Sequence, residues 1–365
     1  MEARTAGIEA GAAGIEAAAV ESFAERVMGD MAGAYTFFMA GIGDRLGLFK
    51  ELAQKGAATS SEFAERTGLD ERYLREWLRG MTAAGYLDFE ATTGRFVVPT
   101  SHVPVLAEEA GPAFFGAAFF NFSTNFGDSY RRLIEAFRTG GGVPQVEYGE
   151  SAEAIERFTA PWFENQLVPV WLPAMPEVER RLRDGGSVCD VGCGRGRALI
   201  KLAQSFPTGR YTGVDLYEPA ISEARANAEA AGVGDRIRFD LADASGGLPG
   251  RFDIVTTFDV LHDSGDPSGI LREIHDALHP DGRYICVEIN SADRPEDNIG
   301  PVAAILYGLS MEYCLTVSLA SGGAGLGTLG LPQAKLTELA RAAGFANVRR
   351  LPTDDPFNSV YEITK

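Results

Sequence analysis

The chain has 365 residues, 45% of them hydrophobic and 23% charged, which is ordinary globular composition with length for roughly two or three domains. Its 51 acidic against 33 basic residues leave a formal charge of −18, a field that repels nucleic acid and anionic membranes and favours neutral or cationic ligands. The cysteines, at 189, 193, 286 and 314, show neither zinc-like C-x-x-C spacing nor a secreted disulfide framework, so no metal site is expected; no signal-like leader or bilayer-length apolar run is read either, and the expectation is a cytoplasmic protein.

Residues 1–16 are mostly Ala, Gly and Glu and read as a flexible tail. From Glu21 onward apolar side chains recur at helical spacing, first Phe23, Val27, Met31, Tyr35, Phe38 and Met39, then Leu46, Leu48, Phe49 and Leu52, which predicts two packed helices. Thr59-Ser60-Ser61-Glu62 is a capping box, Gly68 closes the short helix it starts, and Asp70 caps another through Leu74, Trp77, Leu78 and Met81. Residues 86–89 and 95–98 flank Thr92-Thr93-Gly94 as a hairpin. Helices followed by a hairpin make a winged helix, here residues 17–100. Between Asp70 and Arg79 the acids Asp70, Glu71 and Glu76 cancel Arg72, Arg75 and Arg79, so the basic surplus that DNA binding requires is missing.

Residues 101–183 read as a helical connector. Phe114, Phe115, Phe119, Phe120, Phe122 and Phe126 cover more than one face of a helix, so they serve either an interface and a substrate wall or simply the interior of one chain. Phe119 and Phe122 are the candidate substrate contacts among them. Gly140-Gly141-Gly142 is a candidate hinge, and Trp162, Phe163, Glu164 and Asn165 lie on a helix shortly before the next strand, which makes Trp162 and Asn165 candidate pocket residues.

The most informative stretch follows, in a domain spanning 184–365. Residues 187–191 are a short apolar run ending in Asp190-Val191, and Gly192, Gly194 and Gly196 then turn the chain into a helix. Glycine permits positive φ and, lacking Cβ, lets a ligand approach the backbone and the helix N-terminus. A second run, 211–214, ends at Asp215, 19 positions after Gly196 (215 − 196); a third, 237–242, leads to Asp243-Ala244; a fourth, 252–257, leads to Phe258-Asp259. Strand ends that deliver acids to one edge of a parallel sheet mark the edge where open α/β sheets bind ligands. Sharp turns and helix caps are the structural alternative for these same residues. A dinucleotide enzyme fits less well, because the glycine order is G-x-G-x-G and not G-x-G-x-x-G.

Further along, Tyr284 to Ile289 reads as a fifth strand and Val302 to Leu319 as an apolar helix carrying Tyr307 and Met311 on one face. The glycine-dense 321–327 segment is a candidate lid, with a plain surface loop as its alternative. A helix over 332–343 and strands at 348–351 and 358–363 close the chain.

D-V-G-C-G-R-G at 190–196, V-D-L at 214–216, A-D-A at 242–244 and L-H-P-D-G at 278–282 together resemble the class I S-adenosylmethionine-dependent methyltransferases. The resemblance implies an α/β fold with a Rossmann-like seven-stranded sheet, an N-terminal α-helical winged-helix domain and S-adenosyl-L-methionine as cofactor. On that basis Asp190 and the loop Gly192 to Gly196 hold the methionine part, Asp215 and Leu216 the ribose, and Asp243 and Ala244 the adenine, with Phe258 and Asp259 completing the cofactor site. The whole arrangement is similar to plant-type O-methyltransferases and, more closely, to bacterial winged-helix methyltransferases of small molecules. That likeness includes Asn165-Gln166-Leu167, 171–174, Tyr307-Gly308, Gly327-Thr328 and Pro356-Phe357, and it implies a homodimer.

Methyl transfer asks the protein to align a nucleophile and exclude water, and a hydroxyl nucleophile must also lose its proton. His262, in H-D-x-x-D after the fourth strand, has the right intrinsic basicity and matches the base position of the plant-type enzymes, although Ser264 stands where those have Trp. Asp263 is a candidate to orient it. Glu164 is the alternative base, suited to C-methylation of an isoprenoid or polyketide-like acceptor. A non-catalytic, ligand-sensing winged-helix regulator is the reading from a different class. The expected partner in either enzymatic case is a small, largely apolar acceptor, with no nucleic acid and no membrane.

Overall fold

The structure, a computed structural model, describes residues 2–148, 151–353 and 355–365, with side chains described at 18–116, 118, 130–148, 157–353 and 355–365. The chain divides into two compact units, Met1–Ser123 and Thr124–Lys365, so the stretch expected as a connector is shared between them.

In the first unit, helix α1 (Glu2–Arg45) is continuous through the segment expected as a tail, and Gly47, at φ 69°, turns it into α2 (Leu48–Lys55). The capping box forms as expected: Glu62 N–H donates to the Thr59 hydroxyl and Thr59 N–H to the Glu62 carboxylate, starting α3 (Ser60–Thr67). Asp70 accepts from the amides of Arg72 and Tyr73 at the head of α4 (Glu71–Ala83), and β1 (Asp88–Glu90) pairs antiparallel with β2 (Arg95–Val97). The chain then enters a short helix, α5 (Val103–Leu106). Phe49, Phe63, Leu78 and Met81 fill the core, where Trp77 packs edge-on to Phe49 and donates its indole N–H to the Met39 carbonyl. One face of α1 stays outside this core: Phe23, Val27, Met31, Tyr35, Phe38 and Ile42 are all exposed.

Helix α6 (Gly116–Thr139) crosses the division between units; α7 (Ser151–Trp162) runs into a π-helical stretch, Phe163–Trp171, and α8 (Pro176–Arg183) follows. The sheet comprises β3 (Ser187–Val191), β4 (Arg210–Asp215), β5 (Ile237–Leu241), β6 (Phe252–Phe258), β7 (Leu278–Ile289), β8 (Asn347–Arg350) and β9 (Asn358–Thr364). Its order is β5-β4-β3-β6-β7-β9-β8, with the first five parallel and β9 antiparallel to both neighbours. Alternation along the strands separates two apolar layers: Val188, Ile254 and Ile285 face one cluster, and Cys189, Val255 and Cys286 the other. The layers are completed by α9 (Arg197–Ser205), α10 (Glu218–Ala230), α11 (Pro267–Ala277) and, after the segment α12 (Pro301–Leu309), π turn Ser310–Cys314 and α13 (Leu315–Ala320), by α14 (Gln333–Ala342). The strand order reverses at β3, between β4 and β6. A ligand crevice is expected outside the carboxyl ends of those strands.

One expectation needs correction. Pro301–Ala320 is, by length and composition, apolar enough to cross a bilayer. Hydropathy alone does not separate such a span from a core helix; here Ala303, Leu306, Thr316, Val317 and Ser318 are buried, while Val302, Ile305, Tyr307, Met311 and Leu319 are exposed. The glycine-dense segment is held to its neighbours in this conformation: the Ser318 hydroxyl donates to the Ser264 carbonyl and accepts from Gly325 N–H, while a Cβ on Gly323 would stand 2.7 Å from the Cα of Gly265. Its glycines serve close backbone approach.

Candidate active site

The loop after β3 is built on positive φ, 68° at Gly192, 50° at Gly194 and 82° at Gly196. The amides of Gly192 and Cys193 donate to the Val214 carbonyl, locking the loop to β4. A Cβ on Gly192 would strike Val260, at 2.5 Å, so the segment after β6 lies directly on this loop. Gly194 differs: a Cβ there meets no atom within 4 Å, and the loop is open above it. Gly196 begins α9 with no side-chain cap, which leaves helix N–H groups available to an anionic group such as a carboxylate.

Asp215 sits at the tip of β4 and accepts from the amides of Gly194 and Tyr217, both at 2.9 Å. Burial raises its pKa while these amides oppose the rise, and its remaining lone pairs can still accept ribose hydroxyls. Leu216 beside it is exposed, as is Asp243, which caps a 3-10 turn by accepting from the amide and hydroxyl of Ser245; Ala244 is buried. Asp190 is buried and accepts from the Thr256 hydroxyl across to β6; burial, with the Asp215 charge adding, pushes its pKa up to about 7.

The segment after β6 carries the reactive groups. Phe258 packs edge-to-face on Phe163 and stacks on Trp171. Asp259 has φ 55°, a strained backbone for a residue other than glycine, and one carboxylate oxygen is buried without a partner. Burial first, then the Glu288 charge, raise its pKa to about 8. His262 is 3% exposed, and its Nδ1 lies 2.6 Å from Oε2 of Glu288, whose other oxygen accepts from Leu261 N–H at 2.8 Å. Burial opposes the imidazolium charge, but Glu288 and then Cys314 raise the His262 pKa well above its ordinary value.

Glu288 was not among the residues expected from sequence, and it does what Asp263 was expected to do. The carboxylate bonded to Nδ1 comes from the adjacent strand β7. The signal was present: Glu288 is a lone acid at the carboxyl end of an apolar strand, the same pattern that marked Asp215. Asp263 has a carboxylate oxygen within 4.8 Å of both a His262 ring nitrogen and the Cys314 sulfur, and burial raises its pKa to about 6. Asp190, Asp215, Asp259, Asp263 and Glu288 thus gather at the strand ends, and burial raises the pKa of the four aspartates, a crowding of acids that favours a positively charged ligand.

The remaining candidates disperse. Glu164 is half exposed and ion-paired with Lys201. Asn165 donates to the Pro161 carbonyl, and Trp162 packs edge-on to Phe158. Tyr307, on α12, and Met311, on the π turn, are both substantially exposed. Phe119 and Phe122 belong to α6, but their side chains lie outside the described residues.

The sequence matches a methyltransferase domain model over residues 182–342 and an Rv2258c-like winged helix-turn-helix model over residues 34–108. It is 27% identical over 252 residues to the mitomycin biosynthesis 6-O-methyltransferase of Streptomyces lavendulae, covering 67% of this chain and 72% of that one. It is 31% identical over 138 residues to a ubiquinone biosynthesis O-methyltransferase of Pseudomonas paraeruginosa, covering 38% and 55% respectively. Among solved structures, mitomycin 7-O-methyltransferase superposes with a TM-score of 0.69 at 22% identity, covering 95% of this chain and 99% of that one. Human N-acetylserotonin methyltransferase, solved with S-adenosylmethionine, gives 0.70 at 18%, covering 93% and 97%. At these identities the superpositions establish the fold.

Proposed function

The chain is an S-adenosylmethionine-dependent methyltransferase with an N-terminal winged-helix domain, and from that premise we propose that it methylates a hydroxyl of a small, largely apolar metabolite, with His262 as general base. The observation that carries this reading is the buried His262–Glu288 pair on the segment that packs against the glycine loop.

When bound, S-adenosylmethionine supplies an electrophilic methyl carbon on a positively charged sulfur. The opening above Gly194 and the uncapped start of α9 suit its amino-acid end, Asp215 its ribose, and Asp243 with Ala244 its adenine. His262 takes the proton from the acceptor hydroxyl as the new bond forms. Glu288 holds the ring in one orientation and stabilises the imidazolium as it forms. Phe163 and Trp171 pack on Phe258, at the end of the strand that leads into the His262 segment.

Glu164 serves a C-methylating mechanism less well, since Lys201 neutralises it at the surface. A DNA-binding regulator is disfavoured by α4, where Glu71 pairs with Arg75 and Glu76 with Arg72. The exposed apolar face of α1 supports a homodimer, and four unpaired cysteines suit a reducing cytoplasm. A mitomycin biosynthesis 6-O-methyltransferase and a 27-O-demethylrifamycin SV methyltransferase are among the relatives, which favours a secondary metabolite as acceptor.

The test is incubation with S-adenosylmethionine and a panel of phenols, aliphatic alcohols, amines and isoprenoids, read by mass. A gain of one methyl group on a hydroxyl, with S-adenosylhomocysteine released, is the expected result. Methylation confined to carbon or nitrogen, or no turnover together with salt-dependent binding of duplex DNA, overturns the proposal.

A further inference from the structure

We propose that His262, Asp263 and Cys314 form a binding site for one thiophilic divalent cation of the zinc type, and that its occupancy takes the base out of action. The three residues each offer a ligand atom, and all three atoms lie within 4.8 Å of one another. Nitrogen, oxygen and sulfur in one small space make a donor set that zinc accepts and that hard cations such as magnesium do not. Donors around one tetrahedral zinc stand about 3.5 Å apart, given bonds of about 2.0 Å to nitrogen and 2.3 Å to sulfur, so modest side-chain rotation closes the set.

The surroundings favour it. Glu288 holds Nδ1 of His262, leaving Nε2 for a metal, and a carboxylate on the far nitrogen is the usual support of a metal-bound histidine. Cys314 ends the π turn Ser310–Cys314, and single π turns inside helices recur at functional sites. The other three cysteines, Cys189, Cys193 and Cys286, are packed into the apolar layers of the sheet, whereas Cys314 is partly accessible. Binding displaces the thiol proton and any proton on Nε2 of His262 or on Asp263, all of which leave to solvent, and nothing is oxidised or reduced. Three protein ligands leave a fourth position for water.

The inhibitory consequence rests on His262 acting as the base, whereas the site itself does not. Cobalt(II) replaces zinc with a visible signature, so the full-length protein is titrated with cobalt(II) and with zinc. One equivalent of cobalt is expected to give a sulfur-to-cobalt charge-transfer band in the near ultraviolet, displaced by zinc and absent in Cys314→Ser. Calorimetry with S-adenosylhomocysteine on Cys314→Ser confirms that this variant is folded. No band in the parent protein, or an unchanged band in Cys314→Ser, overturns the site. Zinc bound at one equivalent with methyl transfer undiminished leaves the site standing and overturns His262 as the base; loss of transfer reversed by a chelator supports both.

Discussion

Oε2 of Glu288 stands 2.6 Å from Nδ1 of His262, and neither side chain is more than 3% exposed. The second oxygen of Glu288 accepts from the Leu261 amide, so the carboxylate is fixed at both ends and the ring orientation is fixed with it. A buried carboxylate with no cation beside it is costly, and an imidazole that gains a proton here relieves that cost. The pair therefore serves a step in which His262 becomes charged.

Replacing Glu288 by Gln keeps the shape and one hydrogen bond but removes the charge. Turnover is expected to fall by at least about 100-fold, as it does where the acid behind a catalytic histidine is neutralised, with the acceptor KM little changed. His262→Ala should fall by about 100-fold to 10000-fold. Calorimetry should find S-adenosylhomocysteine binding within about twofold of the parent in both variants, because neither residue belongs to the cofactor cradle. Parental turnover in Glu288→Gln would falsify the pair as a catalytic unit.

The glycine loop separates stability from binding. Gly192→Ala places a methyl group 2.5 Å from Val260 at a φ of 68°, so strain and overpacking add, and a loss of about 2–4 kcal/mol in denaturant unfolding is expected. Gly194→Ala meets no protein atom within 4 Å, so it should cost only about 1–2 kcal/mol, the left-handed backbone alone. Its methyl group occupies the space above the loop, and S-adenosylhomocysteine affinity should drop at least about tenfold, as it should in Asp215→Ala. Unimpaired binding in both Gly194→Ala and Asp215→Ala would remove this loop from the cofactor site.

Much of this was legible because local chemistry and global position agreed. Positive φ at three successive glycines can be read from residue type, and so can the capping box at Thr59 and Glu62. Glu288 escaped notice because it follows Ile285, Cys286 and Val287, and a run that reads as buried strand draws attention away from its one acid. Cys314 escaped because it comes to His262 through a π turn, and a period of 3.6 carries no mark of one. The packing of 321–327 was equally hidden: glycine density signals backbone freedom in the unfolded chain and close approach in the folded one, and only the neighbours Ser264 and Gly265 decide which applies.

Helix α1 has two faces with different fates. Phe37, Met39 and Ala40 pack into the first unit's core, while Phe23, Val27, Met31, Tyr35, Phe38 and Ile42 form a stripe exposed by 39% to 67%. An exposed apolar stripe of this length marks an interaction face, and a second copy of the helix is the occupant that the proposed homodimer supplies. Light scattering after size exclusion should give twice the 39.1 kDa chain mass for the parent and the single mass for Phe23→Asp combined with Met31→Asp. A parent that elutes as a monomer overturns the dimer.

Asp190 sets a pH dependence of stability. Its pKa is about 7 in the folded protein, raised mainly by burial, against an ordinary carboxyl value of 3.8. Between those values the folded state holds a proton that the unfolded state has lost, so unfolding releases it and stability falls as pH rises. The contribution is whole below about pH 4, declines by up to about 1.4 kcal/mol per pH unit, and is gone above about pH 7. Asp190→Asn cannot ionise and should lack this slope, so urea unfolding of the two proteins without cofactor at pH 5, 6, 7 and 8 isolates it while the other acids cancel in the difference. The variant should gain on the parent steadily from pH 5 to about 7 and then run parallel to it. A constant difference across the range would mean that Asp190 is ionised throughout, its charge held by the Thr256 hydroxyl, and would overturn burial as the term that sets its protonation.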